Sequence, residues 1–295
     1  MKAIFTIIRP RQYIKNIFIF MPLFFHGSIT NIEKLVAASI AFVAFSLSAS
    51  AIYILNDYKD IKEDRRHPKK KFRPLAAGLI STEKSISLMM ILLIVGFSLM
   101  GTISLQALAV LSLYIILNIG YSFKLKRIAL LDVTIIAIGF VLRLFVGSFV
   151  TVTPISMWII MMTFLIALFL ALAKRRDDIL LLHKSGNKLR KSIDGYNMKL
   201  VDGTMMIMAS TVIVFYILYT TSQEIIEKFQ SGNLYLTAIF VIFGIMRYLQ
   251  ITLVEKHSGS PTEIVLKDKI MIINIFLWIL SLVWIIYLTP TNLIY

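Results

Sequence analysis

Asn56, Asp57, Asp60 and Asp64 end a long apolar run and open the stretch "NDYKDIKEDRRHPKKKFRPLAAG", residues 56–78. On a helix turning about 100° per residue, Asp60 falls about 60° and Asp64 about 20° from Asp57. Asn56 sits at the edge of the same face, while Lys59 and Lys62 point to the other side. Three like charges on one face repel one another, so a cation must stand among them. Flanking Arg and Lys are one source. A divalent metal is the other: Mg²⁺ takes oxygen ligands, few of them protein carboxylates, and completes its shell with water and substrate phosphates. Arg65, Arg66, Lys69, Lys70, Lys71 and Arg73 follow at once. They suit the same phosphates, since a guanidinium can meet phosphate oxygens as a two-pronged fork. These residue types fit a site in which Asp57, Asp60 and Asp64 hold a metal that grips a diphosphate. The spacing does not match an EF-hand loop.

The acids must be positioned by the greasy segment before them, "IAFVAFSLSASAIYIL", and that segment is typical of the whole chain. Its 295 residues are 58% hydrophobic, with a mean hydropathy of +0.82. Apolar runs long enough to cross a bilayer recur along it. They are continuous rather than alternating, which argues against a β-barrel. The expected fold class is an all-α polytopic membrane protein, a single domain over 1–295. Nine transmembrane helices are expected near 14–28, 34–56, 85–104, 106–121, 132–152, 154–173, 204–221, 234–254 and 270–289. The N-terminal "MKAIFTIIRPRQYIKN" lacks the pattern of a cleavable signal peptide, so the first span is expected to be retained. The chain has no cysteine, which excludes a disulfide framework and Cys-based metal or redox sites.

The formal net charge is +15. With the N-terminus in the cytoplasm, 27 of the 31 Lys and Arg fall in inner segments, and only Lys34 and Lys228 fall outside. That asymmetry follows the positive-inside rule. It predicts the polar segments 57–84 and 174–203 inside and the C-terminus outside; the expected location is a bacterial-type inner membrane. The charge therefore calls for no nucleic acid, and anionic membrane lipids are partner enough for most inner bases.

Single residues then divide between chemistry and architecture. Arg143 lies mid-span in "GFVLRLFVG", where a charge is costly and faces a cavity or a partner. Gly139 and Gly147 in the same helix suit close packing. Lys174, Arg175 and Arg176 read either as phosphate ligands or as topology signals, with Asp177 or Asp178 able to anchor them. Lys15 and Asn16 head the first span, Asn16 as a cavity residue or a helix cap. Tyr121 is an interfacial aromatic or a site hydroxyl. His67, beside a proline, reads as a loop residue, and His26, His183 and His257 show no ligand spacing.

The pattern N-D-x-x-D-x-x-x-D followed by "RRHPKKKFRPLAAG" resembles the UbiA-type intramembrane transferases. The resemblance implies nine transmembrane helices around a cavity that opens to the cytoplasm. It also implies an acidic motif that binds a substrate diphosphate through Mg²⁺. Most members carry a second motif, D-x-x-x-D, after the sixth helix. Here the matching "ALAKRRDDILLL" has adjacent Asp177 and Asp178 behind three bases. "RPRQYIKN" (9–16), "YSFKLKRIALLDV" (121–133), "GFVLRLFVG" (139–147), "LAKRR" (172–176) and "SGSPTEIVLKDK" (258–269) resemble one branch, the decaprenyl-phosphate phosphoribosyltransferases. That branch implies phosphoribosyl pyrophosphate (PRPP) as donor and a polyprenyl phosphate as acceptor. The family's Y-x-x-x-K segment meets Tyr121 with Lys124 or Lys126 as phosphate ligand. Two other readings stay open: an aromatic prenyltransferase using a polyprenyl diphosphate, and a transporter or lipid-binding protein. The oligomeric state is not legible.

Overall fold

A computed structural model of the chain describes residues 2–66, 70–185, 191–255 and 261–288. Among the described residues every regular element is a helix. In order they are α1 (Lys2–Ile8), a 3₁₀ helix (Pro10–Phe20), α2 (Met21–Phe25), α3 (Ile32–Lys59), α4 (Ile61–Arg66), α5 (Thr82–Ile103) and α6 (Leu105–Phe123). Then come α7 (Leu131–Thr151), α8 (Met157–Ser185), α9 (Met198–Thr221), α10 (Gln223–Phe229), α11 (Ala238–Leu249), α12 (Pro261–Lys267) and α13 (Lys269–Val283). Short polar residues start the long helices by accepting from a backbone N–H three residues on: Asn31 from Lys34, Ser81 from Lys84, Ser104 from Ala107, Asn197 from Leu200 and Asp268 from Met271. Each satisfies a donor that the first turn leaves orphaned.

Eight described segments are long and apolar enough to cross a membrane, and they coincide with the second to ninth expected spans. The first expected span, 14–28, is different. It is a 3₁₀ helix running into the five-residue α2, with Pro10 at its start and Pro22 inside α2. A second difference is at 154–173, where α8 continues as helix through "AKRRDDILLLHKS" to Ser185. Arg175 donates to Asp178 one turn on, so the charges of this stretch stabilise helix instead of ending it.

The chain forms two compact units. The first comprises 1–126 and 138–155, the second 127–137 and 156–295. In the first, α3 packs along α5 over a core that includes Phe45, Ile52, Leu111, Leu142 and Val146. The approach is close: a Cβ on Gly96 would stand 2.3 Å from Ser48 Oγ and 2.8 Å from Ala44 O. Gly147 has the same function for the 3₁₀ helix, since its Cβ would fall 2.0 Å from Ile19 O. Small residues at such contacts let helix backbones meet where no water drives them together. Gly139 meets only ordinary contacts. In the second unit, α8 packs along α9, and Val133, Phe169, Leu172, Val201, Met205 and Tyr248 share its core.

Candidate functional site

The acidic face is built where α3 gives way to α4. Asn56 and Asp57 lie on the last turn of α3, and Asp64 lies in α4. The single helix expected through all three aspartates is interrupted at Asp60. Yet Asp60 N donates to Asn56 O (3.0 Å) and Asp64 N to Asp60 O (2.7 Å), so the helical phase carries across. Asp57 and Asp64 are each 2% exposed, and both meet the same guanidinium. Arg73 Nη1 donates to Asp57 Oδ1 at 3.0 Å and to Asp64 Oδ2 at 2.7 Å. Arg9 Nη2 donates to the same oxygen of Asp57. Asp60 is held by Lys126, whose Nζ donates to Oδ1 at 2.6 Å. Lys126 therefore reaches the acidic face from the end of α6. Lys124 caps that helix and is exposed.

Arg73 is set in place by its loop. Its N–H donates to Lys70 O, Ala77 N to Arg73 O, and Arg65 Nε to Ala76 O. The turn closes at Gly78, whose φ of 72° suits a residue without a Cβ. A cleft of about 280 Å³ opens beside the pair, lined by Thr6, Arg9, Asp57, Phe72, Arg73 and Pro74. Burial pushes the Asp64 carboxyl above the ordinary aspartate value, and Arg73 opposes the shift.

Among the described residues no three Asp, Glu or His side chains converge as a ready-made metal cluster. The carboxylates nevertheless suit a hard cation: they are oxygen donors only, and two of them already share one positive group at hydrogen-bond distance.

Deeper in the same unit lies a second polar group. Arg143 is 4% exposed within α7. Its Nε donates to Asn16 Oδ1 at 2.8 Å, its Nη1 to Gly139 O and its Nη2 to Tyr114 OH. Asn16 Nδ2 donates in turn to Ser46 Oγ, so Asn16 works as a buried ligand of the arginine and not as a helix cap. The rings of Phe45, Tyr114 and Phe140 surround the guanidinium, with centroids 4.7–5.2 Å away. No carboxylate pairs with it among the described residues. Half-buried Lys15 is within electrostatic reach of both Arg143 and Arg9. Lys15 thus adds positive charge near both arginines, a setting for an anion.

The second unit holds its charges differently. Asp132, fully buried, receives Arg175 Nε (2.8 Å), Ser192 Oγ (3.0 Å) and Tyr196 OH (2.6 Å). Arg175 is 1% exposed and also donates to Asp178 Oδ2 at 2.7 Å. Tyr196 OH accepts from Leu130 N, and burial raises its phenol far above the ordinary value. Arg176 donates to Asp202 Oδ1 and to Thr252 O. These two arginines, expected as phosphate ligands or topology signals, tie helices together in the structure, with Asp178 as one anchor. Lys174 is the exposed base of the three.

Asn56 and Tyr121 are half-buried. Lys69 and His67 lie outside the described residues, as does the 258–260 part of "SGSPTEIVLKDK". Arg9 is the site residue that sequence reasoning missed. It counted only as an inner base, and the signal that could have singled it out is its place in "RPRQYIKN".

A helical membrane protein with carboxylates interleaved with bases at the end of a long apolar helix is the class that fold and site define. The chain belongs to the UbiA prenyltransferase family, whose pattern matches residues 17–185. It is 33% identical over 282 residues to the decaprenyl-phosphate phosphoribosyltransferase of Mycolicibacterium smegmatis, covering 92% of this chain and 88% of that protein. It is 30% identical over 290 residues to the protein of the same name in Corynebacterium glutamicum, covering 96% and 86%. Among solved structures it resembles a UbiA homolog from Archaeoglobus fulgidus bound to DMAPP and Mg²⁺. That likeness has a TM-score of 0.72 at 18% identity, over 98% of this chain and 100% of the other.

Proposed function

We propose that this protein is a membrane transferase that moves a 5-phosphoribosyl group from PRPP to a polyprenyl phosphate, releasing diphosphate. The observation that carries the reading is the near full-length likeness to two proteins named for that activity. The acidic face supports its chemistry. Asp57, Asp60 and Asp64, with Asn56 beside them, would hold Mg²⁺, which supplies positive charge against the diphosphate when bound. Arg73 and Lys126 already stand at those carboxylates and would bind diphosphate oxygens as negative charge gathers on the leaving group. The C1–O bond breaks with its electron pair leaving on diphosphate, and C1 of the ribose gains oxocarbenium character. An oxygen of the lipid phosphate then bonds to C1 from the opposite side. The acceptor is already an anion, so the reaction needs no general base. Lys15, Asn16 and Arg143 are proposed to help hold a phosphate within the membrane, and Tyr121, Lys124 and Lys174 to flank the site. For Arg175 and Arg176 we retain only an indirect part, through the helices they tie.

The family also contains aromatic prenyltransferases, which use a second acidic motif after the sixth helix. The ion pair of Asp178 with Arg175 favours the phosphoribosyl reading, because it engages one of the two carboxylates available there. We further propose a single domain acting in a bacterial-type inner membrane, with N-terminus and site cytoplasmic and C-terminus outside. The test is donor choice. Purified protein in detergent with Mg²⁺ receives PRPP plus polyprenyl phosphate, or polyprenyl diphosphate plus an aromatic acid. Mass spectrometry of the lipid extract should show a phosphoribosyl adduct in the first mixture only. Prenylated acid in the second, with none in the first, would overturn the reading and leave the family standing.

A further inference from the structure

The cleft beside Asp57 has a composition that the diphosphate and its metal do not account for. Of its six lining residues, Arg9 and Arg73 are positive and Asp57 is negative, and Asp64, outside the lining, also pairs with Arg73. Phe72 and Pro74 add apolar surface and Thr6 a hydroxyl. Arg73 is engaged by both Asp57 and Asp64. Arg9 is less committed: it touches the acidic face through Asp57 alone, stacks over the Tyr53 ring at 5.2 Å, and keeps its side chain 25% exposed. Its backbone is left-handed, at φ 53° and ψ 59°. Glycine or asparagine would adopt that conformation at lower cost. Strain kept at a charged residue beside a carboxylate points to a required side chain.

We propose that this cleft holds the ribose 5-phosphate arm of the donor, with Arg9 as ligand of the 5-phosphate. Arg9 is then the residue that selects a phosphosugar donor over a prenyl one. The inference rests on the PRPP reading above. A volume of about 280 Å³ suits a phosphorylated pentose arm. The guanidinium matches a terminal phosphate as a fork, and the Phe72 and Pro74 surfaces suit the carbon face of a sugar. Arg73, on the shared edge, lies between the 5-phosphate and the diphosphate.

The test compares equilibrium binding of Mg²⁺-PRPP and Mg²⁺-pyrophosphate to detergent-solubilised wild type and Arg9→Gln. Pyrophosphate carries the diphosphate chemistry without the 5-phosphate. The substitution should weaken PRPP tenfold or more and leave pyrophosphate within twofold. Thr6→Glu supplies an independent variant at an exposed helix position. Its added negative charge should cause the same selective loss, so the test survives if Arg9→Gln does not fold. Equal weakening of both ligands would make Arg9 part of the diphosphate site, and weakening of neither would make it structural; each result overturns the 5-phosphate assignment alone. Wild type that binds pyrophosphate but not PRPP would overturn the donor reading and this assignment together.

Discussion

The two units each contain an aspartate that meets arginine, and the two arrangements differ in what they leave open. In the first unit, Asp57 and Asp64 are buried but their arginines are not: Arg9 and Arg73 keep 25% and 28% of their side chains exposed, beside a cleft. In the second, Asp132 and Arg175 are 0% and 1% exposed, and serine and tyrosine hydroxyls complete the shell of the carboxylate. Similar ion pairs thus serve two ends. Where the cation borders open space, a phosphate can compete for it. Where both charges are sealed, no phosphate can reach the cation, and removing the carboxylate takes an acceptor from several buried donors at once.

The comparison breaks most visibly at Asp132. Asp132→Ala strips Arg175, Ser192 and Tyr196 of one shared acceptor and should cost about 3–5 kcal/mol of stability. Thermal unfolding in detergent reads this. A melting temperature unchanged from wild type would show that the second cluster is not structural. Asp57→Asn should do the reverse. It should lower kcat/KM on the order of 10²–10³-fold, as loss of a group that stabilises developing charge does, and move the melting temperature less than Asp132→Ala. Comparable losses of stability in the two variants would erase the distinction between the units.

A smaller effect sharpens it. The raised pKa of Asp64, caused first by burial and opposed by Arg73, means that the folded protein holds this proton to higher pH than an unfolded chain does. This group therefore costs stability as pH rises from the ordinary aspartate value of 3.8 through its folded value. The ionised carboxylate is the proposed metal ligand, so divalent-ion binding should fail on acidification at a pH above the ordinary aspartate range. Arg73→Gln removes the opposing cation and should move that acid limb higher still. Mn²⁺ binding followed by electron paramagnetic resonance across pH gives both limbs, and an upward shift should appear for Arg73→Gln and be absent for Arg176→Gln.

How much of this was legible depends on how far apart the partners lie in the chain. Eight spans could be read directly, because apolar length and the bilayer set the same scale. The region 14–28 has the same apolarity but folds as a 3₁₀ helix and a short α-helix, with Pro10 and Pro22 placed where an uninterrupted span would need neither. The acidic face was legible because Asp57, Asp60 and Asp64 are local and periodic, and the phase survives the break at Asp60. Their cations were only partly legible. Arg73 lies 9 residues from Asp64, but Lys126 lies 66 from Asp60 and Arg9 lies 48 from Asp57. Pairs that distant leave no periodic trace. The same holds for Asp132, whose partners lie 43, 60 and 64 residues away. Arg143 could be flagged as an intramembrane charge, but its neighbour Asn16 is 127 residues off. Gly147, which lets those two helices meet, was readable only as a small residue.

The most direct measurement follows label from [¹⁴C]PRPP into polyprenyl phosphate with purified protein and Mg²⁺, comparing wild type, Asp60→Asn and Arg176→Lys. The account predicts Mg²⁺-dependent label in the lipid phase for wild type, near-complete loss in Asp60→Asn, and transfer retained by every Arg176→Lys molecule that stays folded. Undiminished transfer by Asp60→Asn would contradict the claim that the acidic face beside the cleft carries the reaction.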